Sequence, residues 1–281
     1  MTPTAIASSS KAPSRTMHAA FRSTFRTMLC AGVLAAGFAH AASQTPAEAI
    51  QPLGVFHRGE AVARDGQTWM TLWVNESAGT ARLARSRVRV AQVEDPIVDD
   101  TSEGSTGEDT GEEVSVPVPA VDGETPLMLL RSGRVRSGPV RVATIEGRGA
   151  DGLPGYTFRL NGGESRLDTQ CEPRPAPASD DNRDVQHAVC RLILSVGGTR
   201  QTLLEMEATR SAGGALGSWT LGHDAAPRVL FAGDLDRDGG LDLIFDTSDH
   251  YNLMLPTLFL SSAAGAGQLL RRVSEHRAVG C

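Results

Sequence analysis

The densest chemistry in the sequence lies in FAGDLDRDGGLDLIF (231–245), where Asp234, Asp236, Asp238 and Asp242 crowd together. Counted from Asp234, the carboxylates fall at loop positions 1, 3, 5 and 9, with glycines at 6 and 7. Four carboxylates so close repel one another unless a cation lies between them. Ca²⁺ takes roughly six to eight hard oxygen ligands at about 2.3–2.6 Å, which requires several carboxylates on a tightly curled backbone. The spacing predicts that Asp234, Asp236, Asp238 and Asp242 ligate one Ca²⁺, with the Gly240 carbonyl as a further ligand and Gly239 allowing the sharp turn. The loop is not an EF-hand. That loop ends on a bidentate Glu at its twelfth position and sits between helices; here the twelfth residue is Phe245 and both flanks read as strands.

No other segment carries a recognisable reaction centre. Ser248-Asp249-His250 places triad residue types side by side, but neighbours on a strand point to opposite faces and cannot relay a proton among themselves. A G-x-S-x-G elbow, an H-E-x-x-H helix and a phosphate-binding glycine loop are all missing from the sequence. Trp69, Trp73 and Trp219 could form a sugar-stacking surface. Core packing is the simpler role, because residues 69 and 73 share one face of a strand.

The aspartate loop resembles the FG-GAP or VCBS repeat, in which D-x-[DN]-G-D-G-x-x-D lies between two β-strands and binds Ca²⁺ through its acidic positions and a backbone carbonyl. The resemblance covers about residues 228–262, a single repeat, and carries the ligand role to Asp234, Asp236, Asp238, Gly240 and Asp242. It implies a blade-like β-meander around the loop and does not imply a complete propeller. Arg237 departs from the pattern, standing where the family often has glycine.

The elements that position this loop are short strands. Gly (30) and Pro (15) are abundant and aromatics make up 5% of the chain, which favours a turn-rich β protein. Period-2 or short apolar runs occur at 68–74, 87–93, 126–130, 139–145, 156–160 and 189–196. Gly197-Gly198 then turns the chain into 201–206 as a hairpin. A meander follows at 228–232, 241–245, 257–261 and 269–273. The expected fold is all-β: antiparallel sandwich or barrel-like sheets, with a C-terminal β-meander resembling one FG-GAP/VCBS blade.

Residues 1–41 hold Lys11, Arg15, Arg22 and Arg26, no acid, an uncharged run from 28 to 39 and then Ala-His-Ala. This is the layout of a secretory signal peptide cut after Ala41, with translation starting at Met1 or at Met17. A run this short is about 18 Å long as a helix and does not span a bilayer core of about 30 Å. Export, to the periplasm or the extracellular space, makes a disulfide expected among Cys171, Cys190 and Cys281. Cys171–Cys190 is preferred, because a hairpin through 172–189 would set the two opposite each other; Cys190–Cys281 is the rival pairing. Thr45-Pro46-Ala47-Glu48 has the form of a helix start, although a mobile leader is an equal alternative.

Residues 94–113 are acidic at nine positions and lack aromatics, so they read as a mobile loop or linker that cannot bury enough apolar surface to order itself. The organisation expected is therefore 1–41 signal peptide, 42–93 N-terminal β segment, 94–114 acidic loop, 115–227 β domain and 228–281 calcium-bearing meander. The formal net charge is −6, which disfavours nucleic acid as a partner, and no membrane span remains after signal removal. Two function classes follow. One is an exported non-enzymatic β protein with a structural Ca²⁺, an adhesion or binding module for a protein or carbohydrate ligand. The other is a periplasmic or secreted hydrolase whose site has no motif.

Overall fold

A computed structural model describes residues 48–95, 110–117, 121–147, 149, 153–177, 184–211 and 219–279. The signal-peptide reading, the helix start at 45–47, most of the acidic stretch and Cys281 lie outside the described residues.

The chain is all-β and its sheets are antiparallel. In order, the first strands are β1 (Ala49–Pro52), β2 (Gly54–His57), β3 (Thr68–Asn75), β4 (Thr80–Arg87), β5 (Arg89–Val93), β6 (Gly111–Ser115) and β7 (Thr125–Arg131). There follow β8 (Gly138–Val142), β9 (Thr144–Glu146), β10 (Gly155–Leu160), β11 (Gly163–Arg174), β12 (Val185–Val196), β13 (Thr199–Ser211) and β14 (Thr220–Leu221). The last are β15 (Arg228–Asp234), β16 (Asp242–Asp246), β17 (Leu253–Met254), β18 (Pro256–Leu260), β19 (Arg271–Glu275) and β20 (Ala278–Val279).

Nine strands form one sheet in the order β1-β7-β3-β4-β8-β15-β16-β18-β19. Its first strand also lies against its last two, β18 and β19, so the sheet curls into a nearly closed barrel. Closure removes most of the open edge at which a sheet would otherwise pair with another chain. The barrel is filled by Ile50, Leu72, Leu83, Leu130, Phe231, Leu235, Ile244, Leu258 and Leu260, all in one buried cluster. Alternation along the strands sends their neighbours outward.

The outward set is covered by two smaller sheets. Leu243, Phe245 and Phe259 meet Phe158, Leu167, Leu192 and Leu194 of the six-stranded sheet β14-β13-β12-β11-β10-β9, a half-barrel. Ala49, Trp69 and Leu129 pack with Phe56, Val88 and Val114; Phe56 and Val114 belong to the three-stranded sheet β2-β6-β5. β16 and β18 are consequently buried on both faces. That explains why they read as continuous apolar runs and not as alternating ones.

Two sequence boundaries are corrected. The nine-stranded sheet draws strands from 42–93, 115–227 and 228–281, so these segments are not separate sheets, and the C-terminal meander is part of the barrel wall. The acidic stretch is not loop to its end, because β6 begins at Gly111 and pairs with both β2 and β5. Glu113 is exposed while Val114 is buried, so this central strand of the β2-β6-β5 sheet is held by ladder pairing on both sides and by Val114 in the core.

The disulfide is Cys171–Cys190, between register partners of β11 and β12 with Cα atoms 4.0 Å apart. It sits at the margin of the half-barrel's own cluster, which includes Ala188, Met206, Ala208 and Leu221.

Candidate metal centre

The β15–β16 hairpin places the aspartates. Asp234 is the last residue of β15 and Asp242 the first of β16, and Asp242 pairs with Gly233. Both carboxylates thus stand at the same end of the hairpin, where the wall of the barrel meets solvent. Leu235, which is fully buried, plugs the loop into the barrel core. Arg237 (φ +67°) and Gly239 (φ +86°) then curl the backbone through the left-handed region, which glycine enters freely and arginine does not.

Oxygen atoms of Asp234, Asp236 and Asp242 lie within 4.8 Å of one another. Two ligands of one cation at about 2.4 Å can be no farther apart than this, so a single ion can touch all three. Asp242 is fully buried. Its Oδ2 accepts from the Leu235 amide (2.7 Å), and its Oδ1 accepts from the Ser261 amide (2.8 Å) and hydroxyl (2.9 Å). Burial still pushes its pKa up to about 7, helped by the Asp236 charge and opposed by those hydrogen bonds. Asp236 is raised as well, first by burial and then by the charges of Asp238 and Asp234. Its carboxylate accepts from the Asp238 amide at 3.2 Å and from the Ser262 hydroxyl.

Asp234 differs from these two. It is 4% exposed, and its Oδ1 is buried without a hydrogen-bond partner among the described residues. A bare carboxylate oxygen inside a protein costs several kcal/mol, of order 1–3 even by mutational measures, unless something cationic meets it. Three converging carboxylates, one with an unmet oxygen and two with raised pKa, form a site that could hold a metal ion.

Asp238 stands beside this trio. Both its oxygens lie 3.0 Å from the Ser261 hydroxyl, whose one proton they share with Asp242, and Oδ1 also accepts from the Gly240 amide at 2.7 Å. Gly240 has no space for a side chain, since a Cβ there would lie 2.5 Å from Ser261 Oγ. Sequence reasoning missed Ser261 and Ser262, which follow β18 and close the site from the next strand over. Only the register of β16 with β18 brings them there, pairing Leu243 with Phe259. Arg237, the departure from the repeat pattern, acts as a clamp: its guanidinium donates to the Ser137 carbonyl at 2.6 Å and the Arg136 carbonyl at 3.4 Å. The loop is thereby tied to the turn between β7 and β8. Asp234 and Asp238 border a surface cleft of about 430 Å³ with Arg141 and Arg237, which gives an ion a path in from solvent.

The other residues singled out from the sequence are dispersed. Trp69 and Trp73 are 2% and 3% exposed, each with a guanidinium over its ring, from Arg131 and Arg82. Trp219 is half-buried in a different sheet region. His250 accepts the Asn252 amide on Nδ1 and lies against His223 and Tyr251, the hydrogen bonding of a turn histidine. Ser248 is buried and donates its amide to Asp246. Among the described residues, no helix is long and apolar enough to cross a membrane. Comparison with known proteins finds no family model, no curated protein and no solved structure that matches this chain.

Proposed function

We propose that the chain is an exported β protein that binds one structural Ca²⁺ through Asp234, Asp236 and Asp242, with Asp238 and the Gly240 carbonyl completing the shell, and that it serves as a binding or adhesion module. The observation that carries this reading is the buried carboxylate of Asp234, its Oδ1 without a hydrogen-bond partner among the described residues, in a cluster with two other carboxylates. The loop's likeness to an FG-GAP/VCBS repeat points to the same ion. The donor set consists of carboxylates and carbonyl oxygens, which suits a hard cation and not a thiolate- or imidazole-seeking metal. Ca²⁺ fits better than Mg²⁺ because the loop supplies many oxygens at loosely constrained angles, whereas Mg²⁺ demands a small octahedron and keeps its waters.

The ion's role is mechanical. It would cancel the repulsion that opposes closing the β15–β16 turn, and so fix the rim of the barrel. The disulfide between β11 and β12 fits an oxidising compartment, as does the basic, then apolar, then small-residue order of the first 41 residues. The test is thermal unfolding of the metal-free chain with Ca²⁺, Mg²⁺ or chelator. Ca²⁺ should raise the melting temperature well above Mg²⁺, and Asp234→Asn should abolish the difference. Equal curves in Ca²⁺ and chelator would remove the reading.

A further inference from the structure

A broad cleft lies away from the aspartate loop and belongs to no site discussed so far. It has a volume of about 790 Å³ and is bordered by Pro154, Tyr156, Trp219, Thr220, Asp224 and Arg228. Arg228 starts β15 and Asp234 ends it, so the cleft and the metal loop are separated by the length of the strand, about 20 Å. A concavity of this size suits a ligand of several rings.

Its lining is selective in type. The chain has only three Trp and two Tyr, and Trp219 and Tyr156 meet here. Both are half-buried and firmly backed. Trp219 packs on the cluster around the disulfide and stacks under Arg210 at 4.4 Å, and Tyr156 stacks on Phe158 at 6.0 Å. Both rings line the cleft, and aromatic surface held rigid beside a cleft is a platform for other flat, weakly polar faces. Beside them stand two planar charged groups, Asp224 and Arg228, both exposed. Neither makes an ion pair or a side-chain hydrogen bond among the described residues.

The chemistry narrows the ligand. One acid and one base leave the lining without a dominant charge, which disfavours a phosphate or polyanion. A lipid would leave both charged groups buried and unpaired. A saccharide satisfies each feature: the C–H face of a pyranose stacks on an aromatic ring, and vicinal hydroxyls engage a carboxylate or a guanidinium in pairs. We propose that this cleft binds a neutral oligosaccharide, with Trp219 and Tyr156 as stacking platforms and Asp224 and Arg228 as hydroxyl-reading groups. This gives the binding-module reading a ligand class and is independent of the calcium site.

The full chain is titrated with chitohexaose, cellohexaose, maltohexaose and mannohexaose, following tryptophan fluorescence and saturation-transfer NMR. Trp69 and Trp73 are buried, so a fluorescence change on binding reports Trp219. At least one probe should give a saturable change, and Trp219→Ala should weaken it by about tenfold or more. Arg228→Gln, an exposed substitution that does not threaten folding, should weaken it as well. Asp234→Asn, which removes the proposed calcium ligand, should leave saccharide binding intact, so the two readings fail separately. No saturable signal with any probe overturns the proposal, as does unchanged affinity in both Trp219→Ala and Arg228→Gln.

Discussion

Asp242→Asn should reverse its effect on stability with pH and with calcium. In the metal-free protein the Asp242 carboxyl is fully buried and its pKa is raised from 3.8 to about 7, chiefly by burial. Between those values the folded state holds the proton and the unfolded state does not, so stability falls as pH rises from about 4 to about 7 and levels off above. At about 1.36 kcal/mol per pKa unit, the ionised carboxylate costs the metal-free fold roughly 4 kcal/mol at pH 8 relative to its protonated form. Asparagine has no charge to bury, but its amide nitrogen meets the Leu235 amide in place of Oδ2, a donor against a donor, at about 1–3 kcal/mol. In chelator, Asp242→Asn should therefore be the less stable form at pH 5 and should equal or exceed the wild type at pH 8. At roughly 2–4 °C per kcal/mol for a chain of this size, the swing is of order 10 °C. Calcium at pH 8 should restore the wild type and leave the variant unmoved. Melting curves of both proteins at pH 5 and pH 8, with calcium and with chelator, read this directly, and the difference between proteins cancels the titrating groups that do not interact with Asp242, leaving its neighbour Asp236 as the one coupled carboxylate. A constant gap between wild type and variant at both pH values in chelator would refute the reasoning, as would an equal calcium response.

The remaining predictions concern other parts of the fold. His276 is buried, lies edge-on to Phe56 at 5.3 Å and has its pKa lowered to about 4, so its contribution is present above pH 6.5 and is lost as pH falls toward 4; His276→Phe should flatten that acid limb in a stability–pH profile. His57 is raised first by its hydrogen bond to Asp95, so the pair contributes at pH below 6.5 and weakens as pH climbs past the folded value, a dependence that His57→Asn should remove from urea denaturation curves. Replacing Cys171 and Cys190 with alanine opens a loop with a separation of 19 residues and should cost about 3 kcal/mol in urea unfolding while leaving calcium affinity intact. Gly138 lies at φ +129°, where a side chain strains the backbone, and a Cβ there would also lie 2.2 Å from the Arg237 guanidinium, so Gly138→Ala should destabilise by about 1–3 kcal/mol, of which Arg237→Ala should relieve only the steric part in a double-mutant cycle.

Much of the frame is legible in the sequence, and the gaps have physical causes. The β12–β13 hairpin follows from Gly197-Gly198 between strand-like runs, and the Cys171–Cys190 pairing follows from setting two strands opposite each other. β16 and β18 announce themselves because both of their faces are buried. β11 (GESRLDTQCEPR) is illegible, since few of its side chains are buried and its order comes from ladder bonds to β10 and β12. β6 hides for a similar reason, its glutamates masking a strand held by Val114. The domain divisions fail because a barrel closes through pairings between distant segments, such as β4 with β8 and β8 with β15, and local pattern carries no trace of them. At the candidate site, spacing alone picks out the aspartates. Ser261 and Ser262 enter by the same long-range register, and the Arg237 clamp depends on a turn about one hundred residues earlier.

The most direct test of the calcium site is titration calorimetry of Ca²⁺ into the chelator-treated chain at pH 7.5, beside Asp234→Asn. The wild type should show one saturable site, with a dissociation constant of about 10⁻⁴–10⁻³ M as expected of extracellular modules, and Asp234→Asn should show none. Absence of binding heat in the wild type, together with a melting temperature that does not move with calcium, would contradict a calcium centre at Asp234, Asp236 and Asp242.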